Sequence, residues 1–254
     1  MKINRWLILS AVSILVTLLF GISAHAQVTL PSLNLGFKST NNPQEIVSAI
    51  KIIMLLTVLT LAPAIMIMMT AFTRIIIVLS LLRSAIGAQG TPPNVVLIGI
   101  ALFLTFNVMQ PTLSQAWTEG LLPMTQGEME EIEGLTRAAE PFRHFMATNL
   151  RQDDLRLFLE LAKIPEPASE ADTPWRALIP AFLVSEMRRA FEIGFLIYLP
   201  FLVIDLVVAS ILMSLGMMML PPNAISLPFK LIFFVLLDGW RLVSGSLVQS
   251  FVSG

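Results

Sequence analysis

Between Ser185 and Asp205 a mostly apolar stretch, SEMRRAFEIGFLIYLPFLVID, carries Glu186, Arg188, Arg189, Glu192 and Asp205. Carboxylates and guanidinium groups in such a setting can pair, face the interior of a helical bundle, or line a wet path. Facing lipid, each charge costs a few kcal/mol on insertion scales and about 10 or more in simulations of an isolated helix. At about 100° per residue, Ser185, Glu186, Arg188, Arg189 and Glu192 share an arc of roughly 160°, with Phe191 and Phe195 opposite. Glu186 and Arg189 are spaced i,i+3, and Arg188 and Glu192 i,i+4, so each pair can meet on the helix surface. Asp205, Lys230, Asp238 and Arg241 repeat the placement of charge in apolar sequence. Two readings follow. The polar face packs on neighbouring helices or subunits, or edges a conduit; alternatively, the helix neutralises itself near an interface and nothing passes it.

A second group is soft instead of charged. Met213, Met217, Met218 and Met219 surround Gly216 and stop at Pro221-Pro222. Consecutive residues cannot share one helix face, and the glycine and prolines predict that the helix breaks here. Methionine is unbranched and apolar, so it can seal an irregular gap and re-pack when something passes. Several copies around an axis would make a deformable constriction of the kind that gates by dewetting. The plainer reading is gap-filling in a hairpin core.

Other chemistries find no support. Without cysteine, disulfides, thiolate metal sites and cysteine nucleophiles are excluded. The histidines are His25 and His144, and His25 lies in a segment expected to be removed, so a histidine metal site or triad has too few members. The sequence has no Gly-rich phosphate loop, HExxH or G-x-S-x-G. Asp238-Gly239 would suit an intramembrane aspartyl protease, yet Asp205 is the single other aspartate in such a context. No cofactor is expected. A net charge of −1 gives no electrostatic reason to bind nucleic acid.

The elements that position these groups are helices in a membrane-class chain. Of its 254 residues 56% are hydrophobic and 13% charged, against about 25% charged in soluble domains. The N-terminus reads as a secretory signal peptide: Lys2 and Arg5, an apolar run from Trp6 to Ile22, and Ala24-His25-Ala26 before Gln27. An uncleaved first membrane helix is the alternative. Residues 27–45 read as a polar external strap. Ile46–Met69 can span a hydrocarbon core, with a kink at Pro63 and Lys51 able to snorkel. Thr70–Asn94 is mixed: Arg74 and Arg83 flank Ile75–Leu82, followed by a loop of Gly87, Gly90, Pro92 and Pro93. Val95–Val108 is short for a span and extends through Pro111 towards Trp117. Residues 46–117 thus make a first hairpin region.

Residues 118–176 read as an acidic external insert. Glu119–Arg176 holds twelve acidic and six basic residues, a net of −6 that reads as a solvated, largely helical face. Residues 177–254 carry the last two apolar stretches, Leu178–Ala209 and Ile225–Val248. The exported N-terminus and the basic Arg74–Arg83 segment agree on a topology in which the insert lies outside.

At the residue level the C-terminal third resembles a known family. Phe182 to Phe195 (FLVSEMRRAFEIGF), Tyr198 to Asp205 (YLPFLVID), Leu215 to Pro222 (LGMMMLPP) and Ile225 to Lys230 (ISLPFK) are similar to the FliP family of flagellar biosynthesis proteins. The resemblance is specific from Ala177 onward and looser over Ile46–Val108. It implies an all-α membrane protein of kinked helical hairpins, which assembles as a pentamer with FliQ and FliR under an export ring containing FlhA and FlhB. It implies a core subunit of the type III export gate that passes unfolded protein across the bacterial inner membrane. It assigns Met217, Met218 and Met219, with Met213 one turn earlier, to a gasket around the closed pore. It leaves Glu186, Arg188, Arg189, Glu192, Asp205 and Lys230 packed against protein as an inter-helix or inter-subunit network. A cleavable signal and a sizeable external insert match the flagellar branch. The runner-up is an ion-coupled transporter or proton channel with Asp205 and Glu192 as relay carboxylates, and a purely structural scaffold is a third reading.

Overall fold

The computed structural model describes residues 43–252 except 89, 168 and 218, so the expected signal peptide, most of the strap and Met218 lie outside the described residues. The chain divides into two compact units, Met1–Ile52 and Ile53–Gly254. The described part of the first is the opening of helix α1, Pro43–Met68, which continues without interruption through Pro63. All further description concerns the second.

That unit is all α, with no strand among the described residues. Its centre is a short helix, α2, Phe72–Ile86. Ile75, Val78, Leu79, Leu82, Ala85 and Ile86 are buried, in the i,i+3,i+4 rhythm of a helix enclosed by neighbours. Gly87 ends it in the left-handed conformation at φ 79°, its N–H donating to the Ser84 carbonyl at 3.1 Å. A segment that reads as a basic connector in sequence is therefore the most enclosed helix of the fold. Its run Ile75–Leu82, seven apolar residues and Ser80, is too short to span a bilayer but enough to fill the middle of a bundle.

Two long helices flank it. α3, Asn94–Thr125, is 32 residues long and runs on past Pro111. Leu97, Ala101, Thr105, Met109 and Thr112 form its buried stripe, while Val95, Phe103 and Phe106 stand exposed. A wider turn at Ala116–Leu121 re-aims its end against α4, Glu131–Asn149. There a Cβ on Gly120 would sit 2.5 Å from the Ala138 nitrogen, so the two backbones touch. α5, Gln152–Leu161, completes the insert, with Leu159 buried and Leu155 and Phe158 half-buried on its inner side.

α6, Trp175–Ser214, is 40 residues long and passes through Pro180 and Pro200. At 1.5 Å per residue that is about 60 Å, enough to pack first on α4 and α5 and then on α2. Gly194 lets it lie close on α2, since a Cβ there would be 2.2 Å from Leu81 Cδ1. The last apolar stretch is two helices, α7, Pro222–Leu236, and α8, Gly239–Val252, bent by 62°. Asp238 at the bend has φ 50°, and Gly239 leaves room for the Phe234 ring, 2.1 Å from where a Cβ would be. By length and composition α3 and α6 can each cross a membrane, and α7 with α8 makes a third crossing if the bent pair is one span. The protein is an all-α membrane protein.

Candidate functional site

Arg74, in the first turn of α2, has 1% of its surface exposed, and Glu186, on α6, has none. The guanidinium grips the carboxylate with two N–H groups: Nε donates to Oε2 at 2.9 Å and Nη2 donates to Oε1. Nη1 donates to the Ser250 carbonyl at 3.2 Å and to Ser250 Oγ at 3.0 Å, on α8. The Phe251 ring lies against the guanidinium, 3.6 Å from its carbon to the ring centroid. Phe251 stacks on Phe145 of α4, which meets Phe182 of α6 edge-on. One cation thus ties together α2, α6 and α8, and the aromatic chain adds α4. Such a pair contributes little net stability against an apolar replacement, but removing one partner costs about 3–5 kcal/mol because the other charge stays buried.

A second cluster lies further along α6. Lys230 Nζ donates to Asp205 Oδ2 at 2.6 Å and to the Ala85 carbonyl at 3.1 Å. Ser226, fully buried on α7, donates to Asp205 Oδ1 at 2.6 Å. The ammonium also holds a carbonyl at the end of α2, where the helix dipole favours a cation. α2 is therefore pinned at both ends by ionic groups from other helices.

The remaining charges of α6 turn towards the insert. Arg188 lies 3.9 Å from Asp154 Oδ1, and Glu192 accepts from Arg151 Nη1 at 3.3 Å. Ser185 accepts the Arg151 backbone N–H at 2.9 Å, so the start of α5 is fastened to α6. Among the described residues Arg189 makes no ion pair. The sequence permits pairing along the helix, Glu186 with Arg189 and Arg188 with Glu192. The structure sends Glu186, Arg188 and Glu192 to other elements, because each has a partner within reach across the bundle.

Beyond Ser214 the helix stops. Gly216 takes φ 72°, and the Met217 N–H donates back to the Leu212 carbonyl at 3.0 Å. Met213 and Met217 are exposed, and Met219 is 97% exposed. Pro221 leads into α7. The break falls where Gly216 and the two prolines place it.

The sequence profile of the FliP family matches residues 55–247, more than half of the chain. The chain belongs to the FliP family. The match spans both buried ion pairs, Arg74–Glu186 and Lys230–Asp205, and the methionine loop, leaving Ser250 and Phe251 just outside. Flagellar biosynthetic protein FliP of Caulobacter vibrioides is 58% identical over 205 residues, 81% of this chain and 77% of that protein. The Bacillus subtilis FliP is 52% identical over 213 residues, 84% of this chain and 96% of its own length. The FliP of Pectobacterium carotovorum is 54% identical over 213 residues, 84% and 83% respectively.

Against the FliP resemblance read from sequence, the site gains Arg74, Ser226 and Ser250. Arg74 carried a usable signal: it abuts an apolar run, and a buried carboxylate at Glu186 needs a buried cation. Nothing in local spacing points to Ser250, which is 176 residues from Arg74.

Proposed function

We propose that this chain is a core pore-forming subunit of the flagellar type III protein export gate. It sits in the bacterial inner membrane, with its mature N-terminus and acidic insert on the periplasmic side. Five copies close a ring with FliQ and FliR, working with FlhA and FlhB, and unfolded export substrates pass through the centre. The reading calls for no catalytic chemistry in this chain, and its role is in flagellar biosynthesis, as in the relatives. Family membership and the apolar helices support it.

The single observation that carries it is the exposure of Met217 and Met219 at the end of a long apolar helix. A lone copy leaves Met217 about half uncovered and gives Met219 almost nothing to pack on. Sister copies around an axis would cover them, making a dry constriction that excludes ions and yields to an extended chain because methionine re-packs at low cost. Met213 supports the ring from one turn earlier, and the family resemblance assigns Met218 to the same gasket. Glu186 and Lys230 hold the scaffold by pairing within the chain, while Arg188, Arg189 and Glu192 lie at its surface, where a neighbouring subunit can reach them.

A proton relay through Asp205 and Glu192 has no observation in its favour. They are thirteen residues apart on one helix, about 20 Å at 1.5 Å per residue. Asp205 is held by Lys230 and Ser226.

The mass of the purified particle tests the ring. Co-expression with FliQ and FliR is expected to yield a particle containing five copies of this chain. A stable particle with one copy beside both partners contradicts the proposal.

A further inference from the structure

A cavity of about 690 Å³ lies beside the Lys230–Asp205 pair, between the α2–α3 loop, α6 and α7. Its size falls in the roughly 300–1,000 Å³ range of small-molecule sites. Its wall carries Arg83, Asn94, Tyr198, Asp205, Asn223 and Lys230. Among the described residues Asp205 is the one carboxylate in that wall, and Lys230 already neutralises it. Arg83 has no carboxylate partner among the described residues. Its Nη1 donates to the Pro92 carbonyl at 3.2 Å and to Asn94 Oδ1 at 2.6 Å, which fixes the guanidinium at the rim.

Donors outnumber acceptors here. A guanidinium has five N–H groups, and among the described residues Nε and Nη2 of Arg83 are unengaged. An ammonium has three, and Lys230 uses two. Asn94 accepts through its oxygen, which leaves its NH₂ group as a donor, and Tyr198 and Asn223 add a hydroxyl and an amide. A planar fork with an excess positive charge and several neutral donors is the chemistry that recognises a phosphate oxyanion.

We propose that this cavity binds the phosphate group of a ligand, and that the ligand is a membrane phospholipid. One residue or one helical turn along the chain from the lining residues, apolar side chains are exposed: Leu202 and Leu206 on α6, Phe229 on α7, and Val95 and Ile98 on α3. Acyl chains have surface to lie against, whereas free phosphate would use the donors alone. No described methionine of the loop lines the cavity, and the proposal does not rest on the export reading.

The test uses the purified full chain, stripped of lipid in detergent and titrated with phosphatidylglycerol, diacylglycerol or inorganic phosphate, with bound ligand read by native mass spectrometry. Phosphatidylglycerol is expected to bind at one per chain and at least tenfold more tightly than diacylglycerol, which lacks the phosphate. Arg83→Gln is expected to weaken it at least tenfold. Because Arg83→Gln also releases the loop, Asn94→Asp is the second variant: it keeps the acceptor for Arg83 and adds a negative charge, and the same loss is expected. Failure of millimolar inorganic phosphate to displace the lipid supports the lipid as the source, and displacement by it assigns the site to free phosphate. Equal binding of phosphatidylglycerol and diacylglycerol, or unchanged binding in both variants, overturns the proposal.

Discussion

The interior around α2 and the loop from Leu215 to Pro221 are both apolar segments interrupted by unusual residues, and they sit in opposite surroundings. In the first, Arg74 and Glu186 have almost no exposed surface, and Arg74 has a partner for each of its nitrogens. In the second, Met219 is 97% exposed. Buried charge is costly unless satisfied, so any packing of α2 and α6 that parts Arg74 from Glu186 is disfavoured. Exposed thioethers impose no such condition. The ionic interior ties its helices to one another, whereas the described methionines of the loop are exposed.

The largest expected effect comes from Arg74→Met. It strands Glu186 in the interior and is expected to lower unfolding stability in detergent by about 3–5 kcal/mol. Pairing it with Glu186→Met removes the stranded charge, and most of the loss is expected to return. A double variant as unstable as the single one would break the claim that an uncompensated charge is the cause.

Glu192→Gln is the intermediate case, on the same helix as Glu186 but 57% exposed at its side chain. Its pair with Arg151 is solvent-screened, so the expected change is below about 1 kcal/mol in the same unfolding measurement. A loss as large as that of Arg74→Met would erase the distinction between the two glutamates.

The helices were legible in the sequence where apolar runs were long. α6 follows from Leu178–Ala209, α3 extends past Pro111 as its composition indicates, and Gly216 with Pro221-Pro222 marks the break before α7. α2 was harder. Its apolar run, Ile75–Leu82, is bounded by two arginines, and in one dimension a buried arginine looks like a solvated one. The bend at Asp238 had a signal in Asp238-Gly239, a turn dipeptide in an otherwise helical run. Pairings were least legible. Helical spacing allows Glu186 to meet Arg189, but the partner is Arg74, 112 residues away, and such distances are set by packing alone.

The loop is where stability and function are expected to part. Replacing Met213, Met217, Met218 and Met219 with alanine should cost no more than about 0.5 kcal/mol for each of the exposed Met213, Met217 and Met219, since a single surface substitution rarely does more. The deciding measurement is ion leakage across the inner membrane of cells expressing this alanine variant together with FliQ and FliR. A leak that appears with the variant and not with the native chain is the expected result. Membranes that stay equally tight with both would contradict the idea that these methionines seal a pore.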